Sequence, residues 1–174
     1  MYRLLSLAAL PLLLLGCSDV DEGTTVTTVN SEQSGEAETV IEADNGWRLA
    51  ASQSAGATAV YTEAGAASGT VSISCPIRNL MEVSLAGAQP LGNGEAVTVS
   101  FGAGDGIALN VVPTIDRSAT GNAIPGGMKA AGPKPEGLDG MMQSGDVALR
   151  YGSKTYGPYP ALPDNIRMRL LSEC

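Results

Sequence analysis

The chain has no histidine among its 174 residues, and only 4% of it is aromatic. Without an imidazole, neither a Ser-His-Asp nor a Cys-His catalytic arrangement can be assembled, and no histidine is available as a metal ligand. Basic residues are scarce too. Ten Lys and Arg stand against eighteen Asp and Glu, a formal charge of -8. Neutralising a phosphate backbone needs clustered Lys and Arg, so this balance argues against a nucleic-acid surface. Long apolar runs are also missing. The longest, Leu4 to Leu15, covers twelve residues and is interrupted by Ser6 and Pro11. As a helix it rises only about 18 Å, against a hydrocarbon core of about 30 Å. Cysteine is limited to three residues, an odd number. The length suits one ordinary domain or little more.

The N-terminus reads as an export signal. Met1-Tyr2-Arg3 supplies a short positive region, and Leu4 to Leu15 is the apolar stretch of a signal peptide. It ends in Leu14-Leu15-Gly16-Cys17. That tetrad resembles the lipobox of bacterial lipoproteins, with an aliphatic residue three before the cysteine and a small one directly before it. The resemblance implies cleavage after Gly16, so that residues 1–16 are removed. It also implies diacylation of the Cys17 sulfur with palmitate-type chains and further acylation of the new amino group. Each buried methylene contributes about 0.8 kcal/mol, so several chains give a stable membrane anchor. Ser18, standing where Asp would favour retention in the inner membrane, implies the outer membrane with the chain facing the periplasm. The alternative is a plain secretory signal in which Cys17 is incidental.

With Cys17 acylated, Cys75 and Cys174 remain in an oxidising compartment, where disulfides persist. A Cys75–Cys174 bridge is expected, closing a loop for which chain entropy gives an upper figure of about 4.7 kcal/mol. Two buried free thiols are the alternative.

Residues 18–45 hold eight acids and no base, with Thr, Ser and Gly between them. Such a stretch buries too little apolar surface to offset its ordering entropy, so residues 17–45 read as an acylated Cys and a flexible acidic tether. A short strand or helix through Ala37–Ile41 is the ordered alternative. Residues 46–174 carry ten acids and nine bases, so the expected domain is nearly neutral and the low pI belongs to the tether.

Within 46–174, alternation dominates. Trp47, Leu49 and Ala51 share one face, and Ala57 to Tyr61 suggests a second strand. Val71, Ile73 and Cys75 then alternate with hydroxyls, and Met81, Val83 and Leu85 follow. Val97, Val99 and Phe101 pair naturally with Ile107, Leu109 and Val111, and Val147, Leu149 and Tyr151 with Lys154 to Tyr159. Turns are expected at Gly92-Asn93-Gly94, Gly102 to Gly106 and Gly152-Ser153. Thr120 to Gly137, with five Gly and three Pro, reads as a long mobile loop. Leu138 to Gln143 reads as one or two helical turns. Pro163 to Leu171 reads as a C-terminal helix with Ile166, Leu170 and Cys174 on the buried side. The fold class is mostly β: a single disulfide-linked antiparallel sheet, sandwich or small barrel with a C-terminal helix.

Chemistry-bearing constellations are few. Phe101-Gly102-Ala103-Gly104-Asp105-Gly106 lacks the spacing of a dinucleotide fingerprint and the Lys of a P-loop, and reads as a hairpin turn. Asp105 and Asp116 do not have calcium-loop spacing. Met128, Met141 and Met142 offer thioethers for Cu(I), but uneven spacing favours core filling. Glu82 and Glu95 as a glycosidase-type carboxylate pair give way to a solvated face. No cofactor and no metal are expected, and no enzymatic activity. The most distinctive cluster is Arg150, Tyr151, Lys154, Tyr156 and Tyr159 with Arg167 and Arg169, a basic-aromatic set of the kind that anchors protein partners. A polar outer face with core tyrosines is the alternative. Arg78 is a weaker candidate.

In layout the domain resembles the VasI/TagO-type accessory proteins of type VI secretion. The matching features are Trp47, the strand Val71 to Cys75, the strand Val147 to Tyr151, and Ile166 to Cys174. The chain departs from them in having Ser74 and Pro76, not Arg, beside Cys75. A more distant likeness is to lipoprotein lysozyme inhibitors, which insert a Ser-Gly and Tyr/Lys loop into the enzyme. Ser144-Gly145 with Tyr151 echoes that loop at a different spacing. The function implied is non-enzymatic binding or scaffolding of an envelope protein by an outer-membrane lipoprotein, with hydrolase inhibition as the alternative.

Overall fold

A computed structural model describes residues 23–30, 37–66, 70–88, 95–104, 106–112 and 127–174. Its strands are β1 (Thr24–Asn30), β2 (Ala37–Ala43), β3 (Trp47–Ser52), β4 (Gly56–Tyr61), β5 (Val71–Cys75), β6 (Leu80–Leu85), β7 (Ala96–Phe101), β8 (Ile107–Val112), β9 (Met128–Pro133), β10 (Val147–Tyr151) and β11 (Lys154–Tyr159). The helices are α1 (Leu138–Met142) and α2 (Asp164–Glu173). All strands join one antiparallel sheet in the order β1-β2-β3-β4-β5-β6-β9-β8-β7-β10-β11. The fold is therefore mostly β with a C-terminal helix, as the alternation and the terminal apolar period require.

The period-two pattern places one face inward. Leu49, Ala59, Ile73 and Val83 occupy one register row, and each is buried. Met81, Leu85, Met128, Leu109, Val99, Phe101, Val147 and Leu149 continue the same apolar cluster on the other strands. Helix α2 lies across β3, β4 and β5. Ile166 and Leu170 are fully buried there, and Cys174 reaches Cys75 at the end of β5 in a disulfide with a Cα–Cα distance of 5.0 Å. The Asn79 N–H donates to the Cys174 carbonyl at 2.7 Å, tying the β5–β6 turn to the same end of the helix.

The sheet curls so that the chain leaving β11 returns to the start of β3. The indole Nε1–H of Trp47 donates to the Pro160 carbonyl at 2.7 Å, and the Asn45 amide donates to the Ala161 carbonyl at 3.1 Å. The Tyr61 ring bridges the two sides, with centroids 5.5 Å from Trp47 and 5.3 Å from Tyr159. Two turns admit only glycine. A Cβ on Gly56 (φ 69°) would lie 2.1 Å from the Cys75 carbonyl oxygen. One on Gly102 (φ 59°) would lie 2.2 Å from that of Ser144.

Two segments differ from the expectation. The long loop of Thr120 to Gly137 is corrected in its second half: Met128–Pro133 forms β9, paired between β6 and β8. Met128 and Ala130 point inward, and Gly132 accommodates the Leu109 side chain, whose Cδ2 would sit 3.0 Å from an added Cβ. Ala and Gly give almost no hydrophobic contrast, so the period is invisible in the sequence. Thr24–Asn30 and Ala37–Ala43, within the segment read as tether, form a hairpin that extends the sheet beyond β3. Val26 lies opposite Ile41, which packs on Leu49. Apolar support for β1 thus comes from a partner strand, which local composition does not see. The Gly92-Asn93-Gly94 turn, Asp105, Asp116 and the first half of the long loop lie outside the described residues, as do the leader and Cys17.

Candidate functional site

The seven basic and aromatic residues proposed for a partner face are distributed by the pleat. On β10, Arg150 points outward and is exposed, opposite Thr98 and Thr155. Tyr151, one position on, points inward and is buried, and its hydroxyl donates to the Glu95 carboxylate. Lys154 starts β11 across the Gly152-Ser153 turn and is exposed. Tyr156 is half-buried, and Tyr159 packs against Tyr61 in the core.

The two arginines of α2 serve the helix packing. Arg167 is only 7% exposed, and its guanidinium joins Asp139 of α1 and Asp164 of its own first turn. It therefore fastens α1 to α2. Arg169 pairs with Glu173 one turn on at 3.0 Å. The structure thus places Arg150 and Lys154 outside, near the tip of one hairpin, buries Tyr151 and Tyr159, and ties the buried Arg167 to the exposed carboxylates of Asp139 and Asp164. Arg78 is exposed in the β5–β6 turn.

The other candidates have equally definite places. Glu82 lies on the outer face and pairs with Lys129 at 2.5 Å, while Glu95 holds the Tyr151 hydroxyl. Met128 and Met142 are buried and Met141 packs against the same cluster, so the thioethers fill the core. The Ser144 hydroxyl lies within hydrogen-bond distance of the Met141 carbonyl (2.6 Å) and the Phe101 carbonyl. Gly145 stacks close to Gly102. Ser144-Gly145 accordingly forms the exit turn of α1 and locks it to the β7 turn. Among the described residues, no group of three His, Cys, Asp or Glu gathers at metal-binding distance, and no helix is long and apolar enough to cross a membrane.

Burial, followed by the charges of Glu63, Tyr156 and Tyr61, raises the Tyr159 phenol above its ordinary value of 10.0. The folded chain therefore keeps this proton when the unfolded chain has lost it. The resulting stability is complete below about pH 10 and declines as pH rises toward the folded value. Alkaline denaturation of the wild type against Tyr159→Phe measures this: the wild type loses stability more steeply above about pH 10, and the variant lacks that component.

A cavity of about 320 Å³ opens where β1 begins, lined by Gly23, Thr24, Asp44 and Asn45 on the hairpin side and by Asp164 and Asn165 at the start of α2. The signal for β1 was present in Thr24-Thr25-Val26-Thr27-Thr28-Val29, where every residue is β-branched. The signal for the cavity was absent, because Asp44 and Asp164 come to line it only through the fold.

Comparison with known proteins gives no match. No family model, no curated protein and no solved structure is similar to this chain.

Proposed function

We propose that the protein is a lipid-anchored, periplasm-facing lipoprotein of the outer membrane that binds or scaffolds another envelope protein without catalysing a reaction. The observation that carries the anchor is the cysteine pairing. Cys75 and Cys174 are joined, which leaves as the odd cysteine Cys17, the one that ends the lipobox-like Leu14-Leu15-Gly16-Cys17. A persistent disulfide also suits an exported chain. Only Ser18 to Glu22 and Gly23 separate Cys17 from β1, and six residues reach at most about 22 Å when extended. The sheet is then held close to the membrane surface, where a partner is met at high effective concentration.

The binding part of the reading rests on exposed Arg150 and Lys154, two cations at the tip of one hairpin, where the register puts Arg150 opposite Thr155 on the outer face and Lys154 opposite Tyr151 on the other. The test is a cross-linked pull-down from native membranes with the full chain and with Arg150→Ala/Lys154→Ala. A partner captured by the wild type and reduced by about tenfold in the variant supports the reading and locates it at the hairpin tip. Capture of no partner contradicts it.

A further inference from the structure

The two ends of the sheet are finished differently. β11 starts with the charged Lys154 and contains Pro158, which has no N–H to offer, and its exit is bonded to the start of β3. Natural edge strands are commonly blunted in these ways. β1 has none of these devices. It is seven residues long, uncharged, free of Pro and Gly, and paired with β2 in unbroken register from Thr24 to Asn30. Among the described residues no strand pairs with its other edge. Val26 is 60% exposed, although it sits mid-strand.

A bare edge of this kind is a template for strand addition, in which main-chain hydrogen bonds supply affinity and flanking groups supply specificity. The flanking groups here are acidic. The open cavity at the first residue of β1 counts Asp44 and Asp164, both exposed, among its lining residues. Among the described residues Asp44 has no ion-pair partner, whereas Asp164 already meets Arg167. The start of α2 contributes about half a positive charge, which the carboxylate of Asp44 outweighs. On the neighbouring β2, Glu38 and Glu42 add negative charge, of which Arg48 balances the second at 3.1 Å.

We propose that β1 receives an extended segment of a partner protein, rich in β-branched residues and flanked by Lys or Arg, with one basic side chain entering the cavity beside Asp44. The proposal goes beyond the reading of Arg150 and Lys154, adding a second face at the other end of the strand order. A second copy of the chain is the competing occupant. Charge disfavours it, because the described hairpin of β1 and β2 with Asp44 brings Glu38, Glu42 and Asp44 and no base to each side of such a dimer.

The experiment uses the full acylated chain in detergent micelles. Its probe is a capped nonapeptide of alternating Thr and Val with two Lys at each end. Submillimolar binding that slows hydrogen exchange of the amides of Thr24 to Asn30 is expected. Binding falls about tenfold when Glu replaces the four Lys, when salt rises from about 0.05 to about 0.5 M, or in Val26→Lys/Thr28→Lys. Asp44→Asn, which leaves the edge intact, weakens binding by a smaller factor. Unchanged thermal midpoints verify that the variants fold. The proposal is overturned if the peptide gives no protection at about 1 mM, or binds the Lys variant equally. It is also overturned if sedimentation shows that a dimer already protects β1. An envelope partner captured equally by the wild type and by Val26→Lys/Thr28→Lys removes the edge from the account and leaves the binding-module reading standing.

Discussion

Replacing Cys75 with Ala, or reducing the bridge in the native chain, lowers the free energy of unfolding by about 2–5 kcal/mol. The bridge spans 99 residues of sequence, from the end of β5 to the residue after α2, so it constrains most of the unfolded chain. Chain entropy for a loop of that length gives about 4.7 kcal/mol as the upper figure. Denaturation in guanidinium with and without reductant reads the difference as a shift in midpoint, and hydrogen exchange reads where it falls. Ile166 and Leu170 still pack on β3 to β5 after the sulfurs part, so α2 remains docked but opens more often. Loss of protection concentrated in α2 and in the Pro76–Asn79 turn is the expected pattern, because Asn79 N–H bonds the Cys174 carbonyl. A loss below about 0.5 kcal/mol would place the stability of the helix in its apolar face alone.

Truncation of Trp47 to Ala is the most damaging single side-chain change available in the seam, at about 3–5 kcal/mol. The indole is 1% exposed, fills the space between β3 and Tyr61, and donates its only N–H to the Pro160 carbonyl. Trp47→Phe separates the two contributions. It keeps most of the ring volume and loses the hydrogen bond, at a cost of about 1 kcal/mol plus whatever the bare Pro160 carbonyl adds. Urea denaturation followed by far-UV circular dichroism measures all three proteins on one footing, since Trp47 is the chain's single tryptophan and its fluorescence serves only the wild type. Equal stability of Trp47→Phe and Trp47→Ala would mean that the hydrogen bond, not the packing, holds the seam.

The parts legible in the sequence were those with strong local contrast. Val71-Ser72-Ile73-Ser74-Cys75 alternates apolar and hydroxyl side chains, and it forms β5 with Val71, Ile73 and Cys75 fully buried. Ile166, Leu170 and Cys174 recur every four residues, and they bury one side of α2. Their agreement in register is what makes the Cys75–Cys174 pair readable before any fold is known. β9 was hidden because Ala130, Ala131 and Gly132 carry little hydrophobic contrast, and its place between β6 and β8 is set by neighbours distant in sequence. β1 was hidden for a related reason: its acidic surroundings outweigh its β-branched core when composition is averaged over residues 18–45.

Charge and aromaticity were visible as residue types but not as surfaces. Arg150 and Tyr151 are adjacent in the chain and point to opposite faces of one strand, the inevitable result of a two-residue period. Arg167, one of the residues expected to anchor a partner, turns instead to Asp139 because α1 packs alongside α2. The gathering of Asp44 and Asp164 around one cavity joins residues distant in sequence and has no local signature.

The central claim, that this sheet is carried on the outer membrane by lipid on Cys17, is most directly tested by the intact mass of the mature chain. The protein is extracted from outer membranes of a Gram-negative host expressing the full sequence, with Cys17→Ala alongside. The account predicts a chain that begins at Cys17 and carries thioether-linked diacylglycerol and an N-acyl group, while Cys17→Ala is lost from the membrane fraction. A mature chain that begins elsewhere, or that begins at Cys17 with a free thiol, would contradict it.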